Sequence, residues 1–166
     1  MLESLNNKID FKNRNLHSWE RNTDFWLNSE LRQYIDTKKF LNDKIPSLFD
    51  LNSIELPTVI DMGTGSGWAF DLLNELSIDC KFIGLDFNEK FITYLKNKFS
   101  SNGKSTFINV DLEIQLPENL IGKANIVFNF FNFFETANIE NAFQNAALML
   151  KPNGKLVIMT IDNYYL

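Results

Sequence analysis

The sequence predicts an open, mainly parallel α/β sheet with helices on both faces and a helical cap ahead of it. Three observations carry that expectation. The run Val59-Ile60-Asp61-Met62-Gly63-Thr64-Gly65-Ser66-Gly67-Trp68 reads as a covered strand breaking into a glycine turn that opens a helix. Strand-like and helix-like segments alternate from there onward, the order of a parallel sheet with crossover helices. Acidic residues arrive directly after the strands, where an open parallel sheet binds its ligands.

The cap comes first, over residues 1–57. From Leu16 to Phe49 the pattern is helical: Phe25, Trp26, Leu27, Leu31, Tyr34 and Ile35 recur at about 3.6-residue spacing, with Asn22, Thr23 or Asp24 placed as N-cap. A second helix over Lys38 to Phe49 is expected to be interrupted at Pro46, which has no N–H to donate. Pro57 punctuates the boundary, and residues 58–166 form the α/β core, whose first strand starts at Thr58. The helix after the glycine turn carries Phe70, Leu72, Leu73 and Leu76, and its unpaired N–H groups point back at the turn. Lys81 to Leu85 follows as a strand, then Glu89 to Phe99 as a helix with Phe91, Ile92, Leu95 and Phe99 on one face. Thr106 to Val110 and Ile126 to Phe130 are the next strands. Ile139 to Leu150 is a helix, and Lys155 to Ile161 is a fifth strand after the Pro152-Asn153-Gly154 turn.

Composition narrows the function classes. A chain of 166 residues makes one domain with a real core. A net charge of −5, a pI of about 4.9 and scattered lysines argue against a nucleic-acid-binding surface. Cys80 is the only cysteine, which excludes an intrachain disulfide and suits a reducing compartment. Met1 to Phe11 lacks the apolar stretch of a secretory signal, and no segment approaches the roughly 20 apolar residues of a membrane span. A cytoplasmic protein with no metal site and no membrane contact is expected.

Spacing separates two readings of the glycine turn. A dinucleotide fingerprint needs Gly-x-Gly-x-x-Gly, with its third small residue packing helix against strand. Here the pattern is Gly-x-Gly-x-Gly, Trp68 occupies the small-residue position, and Asp61 lies two residues before the first glycine. The run resembles motif I of the class I S-adenosylmethionine-dependent methyltransferases, an apolar strand followed by Asp-x-Gly-x-Gly-x-Gly. The resemblance covers Thr58 to about Asp162 and the cap only loosely. It implies a Rossmann-like sheet, S-adenosylmethionine as methyl donor and S-adenosylhomocysteine as product.

The resemblance also implies site residues. Gly63, Thr64, Gly65 and Gly67 form the cofactor turn, and Asp61 either meets the cofactor's amino group or pins the turn. Asp86, 19 positions after Gly67, accepts from both ribose hydroxyls, with Phe87 beside it; the alternative for Asp86 is an N-cap of the following helix. Asp111 accepts from the adenine amine while the Leu112 N–H meets a ring nitrogen, the alternative being a plain loop aspartate. Asn129 completes the set.

The run from Asn129 through Phe130, Phe131, Asn132, Phe133 and Phe134 to Glu135 resembles motif IV, where sulfonium and acceptor meet. It lacks the Asp-Pro-Pro-Tyr and Asn-Pro-Pro-Tyr forms of the amino-methylating nucleic-acid enzymes, and Asn125 stands where many members carry Asp. An adenine or cytosine amine as acceptor is thereby disfavoured. Most of these phenylalanines are expected in the core, with one or two facing the methyl group, since an aromatic face attracts a cation. Trp19, Trp26 and Trp68 are expected as core or lid aromatics.

In-line methyl transfer asks mainly for alignment. A hydroxyl acceptor also needs a base, and His17, Glu135 or Asp162 offers one, with Glu20 beside His17. His17 and Glu135 are the catalytic candidates. The expected activity is methyl transfer to a small-molecule oxygen or nitrogen. Two alternatives stand beside it: a catalytically inactive methyltransferase-like module serving a partner, and a NAD-dependent oxidoreductase, which Trp68 disfavours. The family's sheet has seven strands and the sequence supplies five. The expectation is either a fragment of a longer enzyme or an open sheet edge covered in a homo- or hetero-oligomer.

Overall fold

The computed structural model describes residues 17–27, 38–39, 41–49, 56–130 and 136–160. Five parallel strands form one sheet: β1 (Thr58–Met62), β2 (Lys81–Asp86), β3 (Ser105–Asn109), β4 (Ala124–Phe130) and β5 (Leu150–Met159). Their order is β3-β2-β1-β4-β5, so the chain steps outward from β1 in one direction and then returns to its other side. The reversal between β1 and β4 is the switch point, and the turn after β1 opens into it. Helices among the described residues include α1 (residues 17–27), α2 (Trp68–Glu75), α3 (Glu89–Lys98) and α4 (Ile139–Met149), and residues 38–39 and 41–44 are helical as well.

The apolar run at β1 forms a strand because both of its faces find cover. Val59 joins a cluster with Phe70, Phe82 and Phe128, while Ile60 and Met62 join Leu85, Val127 and Ala146 on the other side. The first cluster is aromatic: Phe70 stacks on Phe82 at 4.6 Å and Phe128 on Phe130 at 4.7 Å. It is closed by α2, α3 and residues 41–49. The second is aliphatic and is closed by Ala142, Ala146 and Met149 of α4 with Leu120. Helices therefore cover both faces, as the alternation of segments predicts.

Most predicted elements stand within one or two residues of their expected bounds, and three differ in detail. Thr23 is no N-cap: it lies inside α1, where its hydroxyl donates to the Trp19 carbonyl at 2.7 Å. Pro46 sits in a tight 3-10 turn, Ile45–Leu48, which its missing N–H permits at a first turn. β5 reaches back across the Pro152-Asn153-Gly154 turn. Ala124 pairs with Leu150 and the next register pair is Ile126 with Lys155, so the turn residues swell out of the ladder, with Asn153 at φ 65°. A sheet tolerates such an insertion where a proline has no inner ladder bond to make. Leu31, Tyr34, Ile35 and Ile161 lie outside the described residues. Among the described residues no helix is long and apolar enough to cross a membrane.

Asn125 has a structural employment. Its side-chain oxygen accepts from the Thr58 N–H and from the Lys151 ammonium, both at 3.0 Å. That places it near the starts of β1 and β4, at the opposite end of the sheet from the glycine turn. The Asp-to-Asn departure noted in the sequence therefore does not touch the acceptor side.

Candidate functional site

The glycine turn is folded onto the end of β2. The N–H groups of Gly63 and Thr64 both donate to the Leu85 carbonyl, at 2.8 and 2.9 Å, and Gly67 N–H closes the turn on the Thr64 carbonyl. Gly63, Gly65 and Gly67 all have positive φ, a conformation that side chains disfavour. At Gly67, with φ 82°, a Cβ would also run into the Leu95 side chain, so this glycine lets α2 approach α3 closely. Above Gly65 the space is open: a Cβ there would meet only the Gly63 carbonyl, at 4.0 Å.

Asp86 ends β2 and locks the turn. Its carboxylate accepts from the Gly65 N–H on one oxygen and from the Asn88 N–H on the other, each at 2.9 Å. The cap of α3 is Asn88, whose side chain accepts from the Lys90 N–H, so the N-cap alternative for Asp86 is corrected. Phe87 is half-buried, and its carbonyl accepts from the Asn109 amide, which also holds the Asp86 carbonyl. Asp61, on β1, is buried beside these groups.

Two buried acids with no cation partner among the described residues carry an electrostatic cost. Burial pushes the Asp61 carboxyl up to about 7; the neighbouring Asp86 charge adds to the rise and the nearby Thr64 hydroxyl offsets part of it. Burial likewise raises Asp86 to about 6, against the Asn88 and Gly65 N–H groups, which favour its charged form. The Thr64 hydroxyl is buried and meets no partner in hydrogen-bond geometry among the described residues. It packs over Gly84, where a Cβ would come within 2.9 Å of it and 2.7 Å of the Phe107 ring.

The end of β3 is built differently. Asp111 is half-buried and accepts from the Glu113 N–H at 2.9 Å, a local turn contact. Glu113 reaches across to the entry of α4, where its two carboxylate oxygens accept from the N–H groups of Ala137 and Asn138 at 3.2 and 3.1 Å. The Leu112 carbonyl accepts from the Asn145 amide at 2.6 Å, and the Glu113 carbonyl accepts from Asn141. Asn129, at the end of β4, is fully buried. Beside it Phe130 stacks on Trp68 at 5.3 Å and 29°, an aromatic wall next to the glycine turn.

The structure thus gathers Asp61, Gly63 to Gly67 and Asp86 into one place, with the Asp111–Leu112 loop at the next strand end. His17 is exposed on α1, its ring 3.8 Å from the Glu20 carboxylate. Glu135, Asp162, Phe131, Phe133 and Phe134 lie outside the described residues. Asn88, Asn109, Glu113, Asn141 and Asn145 were not singled out by the sequence. Asn88, Asn109, Glu113 and Asn141 share a signal, a position within a few residues of a strand end or a helix start, where side-chain amides and carboxylates tie down backbone; Asn145 lies inside α4 and carries no such signal.

Comparison with known proteins agrees with this geometry. A family model described as a methyltransferase domain matches residues 59–154. A putative methyltransferase, 235L, of Invertebrate iridescent virus 6 is 30% identical over 147 residues, covering 87% of this chain and 47% of the viral protein. Phosphoethanolamine N-methyltransferase 1 of Haemonchus contortus, solved with phosphoethanolamine and S-adenosylhomocysteine, superposes with a TM-score of 0.67 at 17% identity, over 89% of this chain and 32% of that one. The DszA carbon methyltransferase superposes at 0.64 and 20% identity, over 83% of this chain and 38% of its own. The chain spans about half the length, or less, of the curated relatives it matches. On the strength of the family match and the switch-point turn that lies within it, the chain belongs to the class I S-adenosylmethionine-dependent methyltransferase family.

Proposed function

We propose that this chain forms the donor-binding part of an enzyme that transfers a methyl group from S-adenosylmethionine to an oxygen or nitrogen of a small molecule. The observation that carries the reading is the 2.9 Å hydrogen bond from Gly65 N–H to the buried Asp86 carboxylate, which joins an open glycine turn to an acid at the switch point. Asp86 accepts from the ribose hydroxyls with its remaining lone pairs, Asp61 faces the amino group, and the turn carries the amino-acid end. Asp111 and the Leu112 N–H take the adenine.

Three features fit a cationic ligand of this shape. The backbone at Gly65 is unobstructed, with positive φ and only the Gly63 carbonyl, at 4.0 Å, near the position of a Cβ. Asp61 and Asp86 are buried acids whose raised pKa values a nearby positive charge would bring down. The Thr64 hydroxyl is a buried polar group beside the Asp61 carboxyl, within the turn proposed to carry the donor. The bound donor supplies a methyl group on a sulfonium that leaves readily, so the chain's own contribution is alignment and exclusion of water. Trp68 is half-buried at the start of α2, beside the turn, and Phe130 lies stacked between it and Phe128, so these rings support the turn from the core side.

Relatives and neighbours are named for nitrogen, oxygen and carbon methylation. Oxygen or nitrogen is therefore the finer part of the proposal. The family match sets aside the nicotinamide reading, and nothing in the comparisons favours an inactive module. Calorimetry with S-adenosylmethionine, S-adenosylhomocysteine and NAD tests the donor. Binding of both sulfur nucleosides and not of NAD is expected; binding of NAD alone overturns the proposal. Transfer of label from methyl-labelled donor only to carbon acceptors would overturn the choice of acceptor atom.

A further inference from the structure

α1 is tied to the donor site by a buried polar contact that the reading above does not use. Thr23, on α1, is 1% exposed, and Asn88 is 4% exposed. The Asn88 amide nitrogen donates to the Thr23 hydroxyl at 3.0 Å, and that hydroxyl donates onward to the Trp19 carbonyl at 2.7 Å. The orientation of the amide is fixed from its other side, because its oxygen accepts from the Lys90 N–H at 3.0 Å. The backbone N–H of the same Asn88 donates to Asp86 at 2.9 Å. One residue thus holds α1 with its side chain and the candidate ribose carboxylate with its backbone.

Two further contacts seat α1 on the same short stretch. The Lys90 ammonium donates to the Glu20 carbonyl at 3.4 Å, and the Trp19 ring meets Phe91 edge-on at 6.4 Å. The contact between Thr23 and Asn88 links positions 65 residues apart in the chain. A helix held only for packing could be seated by its aromatic rings alone. Burying a threonine and an asparagine is favourable only when both are paired, so the pair specifies one seat for the helix.

We propose that Thr23 and Asn88 are positioning residues for the donor. The seat of α1 sets the turn at Phe87–Asn88, and this turn aims the Asp86 carboxylate at the two ribose hydroxyls. The inference rests on the reading of Asp86 as the ribose acceptor. Thr23→Val keeps the shape of the side chain and removes the hydroxyl. Asn88→Ser keeps a good helix cap and removes the amide that reaches Thr23.

The test compares adenosine with 2′,3′-dideoxyadenosine, each measured by calorimetric competition against S-adenosylhomocysteine. The wild-type chain prefers adenosine, and Asp86→Asn abolishes that preference. Thr23→Val and Asn88→Ser each reduce it about five- to tenfold, the scale of one buried hydrogen bond. Thr23→Ser restores it. In addition, adenosine and not the dideoxy compound slows amide hydrogen exchange in residues 17–27, because coupling between two sites is reciprocal.

A purely structural role for the pair would weaken both nucleosides alike, and that result overturns the proposal. If Asp86→Asn abolishes the preference while Thr23→Val and Asn88→Ser leave it whole, the positioning role falls and the ribose reading stands. If Asp86→Asn leaves the preference intact, the ribose reading fails and takes the positioning role with it.

Discussion

The ends of β2 and β3 use the same sequence grammar, an aspartate directly after a strand, and build two different devices from it. At β2 one carboxylate is given both tasks: Asp86 is buried and pins the glycine turn through Gly65, and it is also the group proposed to meet the donor. At β3 the tasks are divided. Asp111 turns the chain locally, and Glu113 makes the long-range tie to the entry of α4. The difference teaches that burial decides how much a single acid must carry. Asp86 cannot be changed without disturbing the turn, whereas at the β3 end the long-range tie to α4 falls to Glu113, two residues from the acid proposed to meet the adenine.

The largest expected effect is at Asp86. Asp86→Ala should weaken S-adenosylhomocysteine binding by about 2–3 kcal/mol, roughly 30- to 150-fold, through loss of charge-assisted contacts. Calorimetry reads this, and a loss no larger than that of the matching β3 substitution would break the comparison.

Asp61 shows what buried charge costs at the β2 side. The carboxyls of Asp61 and Asp86 stand at about 7 and about 6 in the fold, above their ordinary 3.8. Groups raised in this way contribute most to stability below about pH 4 and lose that contribution as pH rises to 7. The ligand-free protein should therefore melt lower at pH 8 than at pH 5.5. Asp61→Asn should flatten that slope and stabilise the fold at pH 8 by on the order of 2 kcal/mol. A melting temperature that falls at pH 8 in the variant would show that the charge is not the cause.

Glu113→Ala should cost about 1–2 kcal/mol of stability by leaving two helix-entry N–H groups without their acceptor. A chemical denaturation curve measures it, and the donor affinity should fall less than for Asp86→Ala. The smallest effect on binding belongs to Asp111→Ala, about 1 kcal/mol in affinity for adenosine. A large loss of stability there would erase the division of labour at β3.

The layout of the sheet was open to reading because its signals are local and redundant. Val59 to Met62 could only be a strand covered on both faces, and the helical face of Phe91, Ile92 and Leu95 left little choice for α3. Asp86 and its glycine turn were legible for the same reason, since spacing along the chain predicted a meeting that the parallel register then delivered. The asparagines were not. Their abundance suggested no function, because asparagine suits almost any turn and its sequence neighbours do not reveal its partner. Asn88 meets Thr23, and Asn145 meets Leu112, only after the crossovers have folded. Thr23 escapes for the same reason: a hydroxyl near a helix start looks like a cap, and only the folded position of Asn88, 65 residues on, shows that it faces a neighbour. The extension of β5 was hidden by a turn signal that is real and sits inside the strand.

That interrupted strand has a consequence for the protein in a crowded solution. The described part of β5 pairs on one side only, with β4, and carries Ile158 at 42% exposure. A straight ladder of that kind invites a second molecule to add its own strand, and then a third. The insertion around Pro152 to Gly154 bends and twists the backbone at its start, and the proline removes one donor from the row. An insertion of this kind makes the described side of β5 a poorer template for an added strand than a straight ladder would be.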